Sequence, residues 1–301
     1  MPNIVQHSAD NRISNVDSDD YLLQLWLRSK SRNSKDAYAR DVRQFLAFVD
    51  LPLTQVKLEH IWNWLDHLES EGFVVSTVGR KLATIKSLFS FGLKVGYLPF
   101  NVGAAISLPS IPDLLAQRIL SESDVHKLLD ASEVERDSVL LKLFYASGAR
   151  VSELCVLRWE HIQLRLRKEQ NSEAYITLIG KGSKSRNVIV SSAMCTLLTE
   201  FHVKESELGF GNPTDSVFRS AKGGSLSRQQ MWRIVKKATG LSGVMRDISP
   251  HWLRHAHASH SLDRGAPTHL VKETLGHKSL TTTSRYTHAR PDDSSGKYLD
   301  I

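Results

Sequence analysis

Nearly every patterned stretch of this chain repeats its apolar residues at helical spacing, and one stretch alone alternates. Residues 34–49 place Tyr38, Val42, Phe45 and Phe48 on one helical face. Residues 58–71 do so with Ile61, Trp62, Leu65 and Leu68, and residues 76–92 with Val78, Leu82, Ile85, Leu88 and Phe89. Helical spacing returns at 137–145, 151–157, 193–205, 227–238, 252–263 and 267–275, and Ser121 with Asp124 forms a capping-box pattern before Val125. The exception is Ala174-Tyr-Ile-Thr-Leu-Ile179 and Asn187-Val-Ile-Val190, which are β-branched and alternate around Gly180-Lys181-Gly182-Ser183-Lys184-Ser185-Arg186. That pattern predicts a hairpin with a basic tip. The expected fold is mainly α: an all-helical first half, then an α-rich second half with a small antiparallel β-sheet.

At 301 residues the chain is long for one hydrophobic core. The run Leu108-Pro109-Ser110-Ile111-Pro112 reads as an extended connector. We expect a first domain at 1–108, a linker at 109–119 and a second domain at 120–301. Charge follows the same division. The overall balance is +7, of which residues 1–108 carry +1 and the remainder +6. A basic excess favours a polyanionic partner, nucleic acid or an anionic membrane surface. Cys155 and Cys195 have apolar flanks and read as free thiols. No basic segment followed by an apolar run opens the chain, so a soluble cytoplasmic protein is expected.

Four further motifs carry chemistry. Gly148-Ala-Arg150-Val-Ser-Glu153-Leu sets an arginine just after a flexible turn. His251-Trp-Leu-Arg254-His255 follows the helix-entry pair Ser249-Pro250. Leu275-Gly276-His277 ends a helix on a glycine, and Tyr286-Thr-His288 follows. Each fragment alone has an ordinary reading: a surface arginine, a solvated hairpin lysine, a half-buried tyrosine. The i, i+4 pair His251 and His255 also admits a zinc reading, but no carboxylate or cysteine joins them at ligand spacing. His255 and His257 are expected as packing or hydrogen-bonding residues.

With Lys181 in its hairpin, the ordered set of motifs resembles the tyrosine recombinases, the phage-integrase-type site-specific recombinases. Length and spacing are most similar to Xer-type enzymes and short phage or transposon integrases. The resemblance implies a helical, SAM-like core-binding domain followed by the catalytic domain. It implies DNA cleavage and rejoining through a covalent 3′-phosphotyrosine, without metal, ATP or other cofactor. Tyr286 is then the nucleophile, Arg150 and Arg254 the phosphate clamp, and His251 the base. Lys181 is the general acid, His277 a phosphate hydrogen-bond donor, and Glu153 a supporting residue. Two arginines suit this task because their charge is permanent and their donors planar and bidentate.

The implied partner is double-stranded DNA, closed on by the two domains as a clamp and held in a homo- or hetero-tetramer on two duplexes, with no membrane. Candidate DNA contacts are Arg80, Lys81 and Lys86 in the first half, with Lys184, Arg186, Arg228, Arg233 and Lys236 in the second. The family's C-terminal segment passes to a neighbouring protomer, and residues 291–301 would play that part here. Ala149, where a bulkier residue is usual, and the long approach 163–173 depart from the compact Xer chromosome-resolution enzymes. A catalytically silent DNA-binding regulator of the same fold and a type IB topoisomerase are the competing functions.

Overall fold

Ser18 starts the first helix: its hydroxyl accepts from the Tyr21 N–H. Asp19 serves elsewhere, accepting from the Leu53 N–H at 2.8 Å and from the Tyr97 hydroxyl at 2.7 Å. The computed structural model describes residues 15–110, 115–165, 172–180, 182, 184–277, 279, 283 and 286. It divides into two compact units, Met1–Pro112 and Asp113–Ile301. Among the described residues no helix is long and apolar enough to cross a membrane.

The first unit contains α1 (Asp19–Arg28), α2 (Arg32–Val49), α3 (Leu58–Ser70) and α4 (Val75–Lys94). Phe45 of α2 meets the Trp64 ring of α3 edge-on at 5.0 Å and Phe89 of α4 at 6.5 Å, which ties three helices to one aromatic centre. The sequence pattern puts Trp62 on the inner face of α3. The structure exposes Trp62 by 47 % and fully buries Trp64. The stripe is set by Ile61, Leu65 and Leu68; Trp64 lies three residues from Ile61 and falls on it, while Trp62 is about 100° off.

The basic residues of α4 also differ from expectation. Lys81 is 7 % exposed, and its ammonium donates to Asp41 of α2 at 3.2 Å and to the Gln44 side-chain carbonyl. Arg80 holds both oxygens of the same Asp41, and the Thr84 hydroxyl adds a third grip at 3.3 Å. Lys86 donates to the Ile106 carbonyl. Lys81, expected to reach DNA, is here a buried cation that must be paired, and its partners are the carboxylate and amide of α2. Arg80 and Lys86 likewise have partners within their own unit.

The second unit opens with α5 (Glu122–Asp130), capped by Ser121, whose hydroxyl accepts from the Asp124 N–H at 3.1 Å. Then come α6 (Glu135–Ser147) and the single turn α7 (Val151–Leu154), shorter than the 151–157 helix the pattern predicts. The sheet has three antiparallel strands in the order β1 (Ile162–Arg165), β2 (Glu173–Ile179), β3 (Ser185–Val190). The hairpin β2–β3 is the expected one, with Ile176 opposite Val188. Strand β1 is additional and accounts for the start of the long 163–173 approach. Its four residues are at most half-buried, too short a pattern to reveal a strand. The chain continues through α8 (Ser192–Glu207), α9 (Arg228–Leu241), α10 (Pro250–Asp263) and α11 (Thr268–Leu275). Helices α6 and α10 pack together in the core, and Ala174, Ile176 and Leu178 close it from the sheet. Cys195 is buried and Cys155 half-buried, both as free thiols.

Candidate active site

The site begins at the end of α6, where the chain must turn sharply. Gly148 caps that helix at φ +56°, a left-handed conformation that strains any residue with a Cβ. A Cβ here would also lie 2.7 Å from the His257 ring and 2.9 Å from Leu275. The turn delivers Arg150 to the start of α7. Its backbone N–H donates to Glu153 Oε2 at 2.7 Å and its Nη1 to Oε1 at 2.9 Å.

Glu153 is 1 % exposed and is shared. Arg186 of β3 donates to both of its oxygens, at 2.5 and 2.8 Å. Burial alone would raise the Glu153 carboxyl; hydrogen bonds from Arg186 and from the Arg150 backbone and side chain, with the Arg186 charge, outweigh that and hold it below the ordinary glutamate range. Arg186 also donates through Nε to the Thr274 carbonyl at 2.6 Å. Expected as a hairpin-tip DNA contact, Arg186 instead has its guanidinium turned inward, between α7 and α11. The signal was present in the strand alternation, because Arg186 shares the inner face of β3 with Val188 and Val190.

Arg254 enters from α10 and is 6 % exposed. Its Nη1 donates to the Gly148 carbonyl and its Nη2 to the Leu275 carbonyl, both at 2.5 Å. Arg150 Nη2 reaches the next carbonyl, Gly276, at 3.2 Å. Two guanidiniums from distant parts of the chain are thus fixed on successive carbonyls of the turn that ends α11. Burial, then repulsion from Arg150 and Arg186, lowers Arg254 to about 9, which leaves it cationic at neutral pH. Gly276 makes this turn at φ +62°, and His277 follows it. Burial and the nearby arginines lower His277 to about 4, so the ring is neutral at pH 7, and its Nδ1 lies 3.0 Å from the Thr283 hydroxyl.

The histidines of α10 separate by environment. His251 is exposed at the first turn, and partial desolvation with repulsion from Arg254, Arg228 and Arg150 lowers it. His257 is lowered to about 4, chiefly by burial, and its Nδ1–H donates to the Tyr145 carbonyl at 2.7 Å. His260 donates through Nε2 to the Leu120 carbonyl at 2.9 Å, so its Nδ1 accepts from the Tyr145 hydroxyl, also at 2.9 Å. His255 meets the Tyr286 phenol: its Nδ1 lies 2.7 Å from the phenol oxygen. Tyr286 is 5 % exposed and packs with Ala258, Leu262, Val271 and Leu275.

The described residues thus gather Arg150, Glu153, Arg186, Arg254, His255, His277 and Tyr286 around the ends of α6 and α11. Lys181 and the 291–301 tail lie outside the described residues. Lys184 is exposed in the β2–β3 connection, and Arg228 and Arg233 are exposed on α9. Lys236 is paired with Asp247 and lies 5.2 Å from the Trp232 ring centre.

Two family descriptions match this chain: "Phage integrase family" over residues 118–292 and "Phage integrase, N-terminal SAM-like domain" over residues 19–95. The tyrosine recombinase XerD of Pseudomonas aeruginosa is 34 % identical over 284 residues, covering 90 % of this chain and 91 % of the relative. Among solved structures, the XerH site-specific recombinase bound to its difH substrate superposes with a TM-score of 0.70 at 21 % identity, covering 94 % of this chain and 85 % of that one. A lambda integrase tetramer bound to a Holliday junction gives 0.70 at 18 % identity, covering 94 % and 80 %. At such identities the structural likeness establishes the fold.

Proposed function

This chain belongs to the phage integrase family of tyrosine recombinases, and from that premise we infer that it is a site-specific DNA recombinase that cuts and rejoins DNA through a covalent phosphotyrosine. The observation that carries this reading is the pair of guanidiniums on successive carbonyls, Arg254 on Leu275 and Arg150 on Gly276. Each guanidinium has more N–H donors than these bonds engage, and the carbonyls fix orientation without cancelling charge. A phosphodiester placed there receives planar, permanently charged donors for the oxygens on which charge grows as phosphorus becomes five-coordinate.

In this mechanism the Tyr286 oxygen bonds to phosphorus as the bond to the 5′-oxygen breaks. The phosphotyrosine conserves the energy of the broken bond, so a second 5′-hydroxyl can reverse the step on a different strand. The departing 5′-oxygen needs a proton, and Lys181 is our candidate donor. Neutral His277 serves as a hydrogen-bond donor to the phosphate. Glu153 keeps Arg150 in place and limits repulsion among the three arginines.

The partner is double-stranded DNA, and we propose four copies on two duplexes, the number in the lambda integrase assembly on a Holliday junction. Residues 1–108 are proposed as the core-binding domain, 109–119 as linker and 120–301 as catalytic. Lys184, Arg228 and Arg233 are proposed to meet DNA phosphates and bases. Acting on DNA, the protein works in the cytoplasm.

The test is covalent trapping. The chain is incubated in EDTA with nicked duplexes recovered from a randomised pool by binding, and adducts are resolved under denaturing conditions. Wild-type protein is expected to form an adduct that Tyr286→Phe abolishes. Specific binding without any adduct overturns the reading.

A further inference from the structure

We propose that His255, one residue beyond the buried arginine of α10, accepts the phenolic proton of Tyr286 during strand cleavage and returns it on rejoining. The proposal rests on the recombinase reading and adds a residue to its chemistry. The family resemblance assigns the base to His251, one helical turn earlier.

The argument starts from geometry. A phenol with an ordinary pKa of ~10 is a weak nucleophile until its proton leaves. An acceptor must lie within about 2.6–3.2 Å of the oxygen that loses it. His255 Nδ1 is 2.7 Å from the Tyr286 oxygen, with the rings tilted by 41°. The phenol is 5 % exposed, so the passage of its proton to bulk water is restricted. His251, by contrast, stands exposed at the first turn of α10.

The charges around this pair favour the transfer once phosphate is bound. Arg254 lies close enough for its charge and that of Tyr286 to act on each other, which favours the phenolate. Arg150 and Arg186 add to the same field, and His277, which feels His255 in turn, is held neutral. A proton on His255 would be repelled by this cationic set alone. The negative charge of an entering phosphodiester offsets that repulsion, so transfer is tied to substrate binding.

The step balances. A new bond forms between the Tyr286 oxygen and phosphorus, and the bond from phosphorus to the 5′-oxygen breaks. The phenolic proton passes to the Nδ1 lone pair of neutral His255, giving an imidazolium. The 5′-oxygen takes its proton from the separate acid proposed above. On rejoining, an incoming 5′-hydroxyl attacks phosphorus and returns its proton to that separate acid, now deprotonated, while the tyrosyl oxygen leaves and recovers its own proton from His255.

The test uses the full chain, the nicked duplexes already described, and the same duplexes with sulfur replacing the bridging 5′-oxygen. A thiolate leaves without protonation, so the sulfur substrate cures defects in the acid and leaves defects in the base visible. His255→Asn keeps a polar atom near the Nδ1 position and cannot take up a proton. It is expected to bind DNA and melt like wild type, yet to form adduct at least ~100-fold more slowly on both substrates. His255→Ala should lose the same activity and recover part of it in added imidazole, which Tyr286→Phe cannot. A His255→Asn rate within about threefold of wild type would reduce the contact to one that positions the phenol. Recovery of either variant on the sulfur substrate would move His255 to the leaving-group side, and failure of imidazole to rescue His255→Ala would also overturn proton transfer. Absence of adduct with wild type overturns the recombinase reading and this role with it.

Discussion

Asp41 in the N-terminal unit and Glu153 in the C-terminal unit are both buried carboxylates held by two cations, at 3 % and 1 % exposure. At Asp41 the charges balance to within one cation, and Arg80 is partly exposed to solvent. Arg80 and Lys81 converge on the carboxylate, Gln44 supplies a further oxygen, and Thr84 completes the shell. At Glu153 the excess is larger. Arg150 and Arg186 share the carboxylate, and Arg254 stands nearby as a third cation held on the backbone carbonyls of Gly148 and Leu275. Carbonyls satisfy N–H donors but leave the net charge in place. A buried ion cluster is therefore no sign of function by itself. What distinguishes the second is an excess of fixed cation beside a nucleophile.

The largest effect that could break this comparison comes from removing each carboxylate. Glu153→Ala leaves two guanidiniums facing each other beside a third, and Asp41→Ala leaves Lys81 buried without its charge partner. Either should cost about 3–5 kcal/mol, read from chemical denaturation of the full chain. The two should part in trapping experiments under conditions where both variants remain folded. Glu153→Ala is expected to lose adduct formation, and Asp41→Ala to retain it per DNA complex formed. Equal loss in both would show that the charge excess is not what separates the clusters.

Acid should sharpen the contrast by a somewhat smaller amount. His257 is lowered to about 4 in the folded chain, against an unfolded value near 6.5. The unfolded state then binds more protons, so the contribution of this ring falls as pH drops from about 6.5 and is lost below about 4. For this largely buried ring the loss is on the order of 3 kcal/mol. Glu153 works in the same direction lower down, since its depressed carboxyl loses its contribution as pH falls through the carboxylate range. Hydrogen exchange along α6 and α10 should accelerate over this interval, and His257→Asn should remove about half of the slope above pH 5, because His277 is lowered to a similar value. A flat profile would remove the neutral histidine from the stability of the site.

Arg186 tests the shared carboxylate more gently. Lysine keeps the charge but cannot hold both Glu153 oxygens and the Thr274 carbonyl together. Arg186→Lys should lower the trapping rate about tenfold, with Kd for DNA little changed and stability reduced by about 1–2 kcal/mol. A changed Kd with an unchanged rate would return Arg186 to the DNA-contact role that its hairpin position first suggests.

The site was legible in sequence to the extent that motifs and spacing carry it. Arg150, Arg254, His277 and Tyr286 lie in short patterns beside helix ends, and helix ends are what glycines and prolines announce. Spacing also shows which face of an element a residue occupies, and in this way it found the core stripe of α4 and, apart from the exposed Phe48, that of α2. It does not show what waits opposite. Asp41 and Lys81 are 40 residues apart, and nothing in either segment states that a buried lysine faces a carboxylate. Arg186 and Glu153 are 33 residues apart on a strand and a helix turn. His255 reads from sequence as a packing or hydrogen-bonding residue with no named partner, because the phenol it meets arrives 31 residues later. Errors concentrate where a polar group finds its partner through the fold, which is also where the chemistry is.

Lys81 gives the smallest expected effect and the most direct test of whether the first cluster is closed. If Asp41, Gln44 and the surrounding core hold its ammonium, Lys81 releases no counterions when DNA binds. Replacing it with methionine keeps the length and apolar stem of the side chain and leaves Arg80 and Thr84 on Asp41. Stability should then change by no more than about 1 kcal/mol, because Asp41 keeps Arg80 and Thr84 and only Gln44 loses its donor, while the apolar side chain is spared the cost of burying a charge. The slope of log Kd against log salt should not move. Lys184→Met or Arg233→Met, at exposed positions in the C-terminal unit, should each reduce that slope by about one if the side chain meets a phosphate. A slope lowered by Lys81→Met would mean that the cluster opens to release its lysine when DNA arrives. The Asp41 cluster would then be a binding device like its counterpart at Glu153, and the contrast between a balanced and an unbalanced ion cluster would fail.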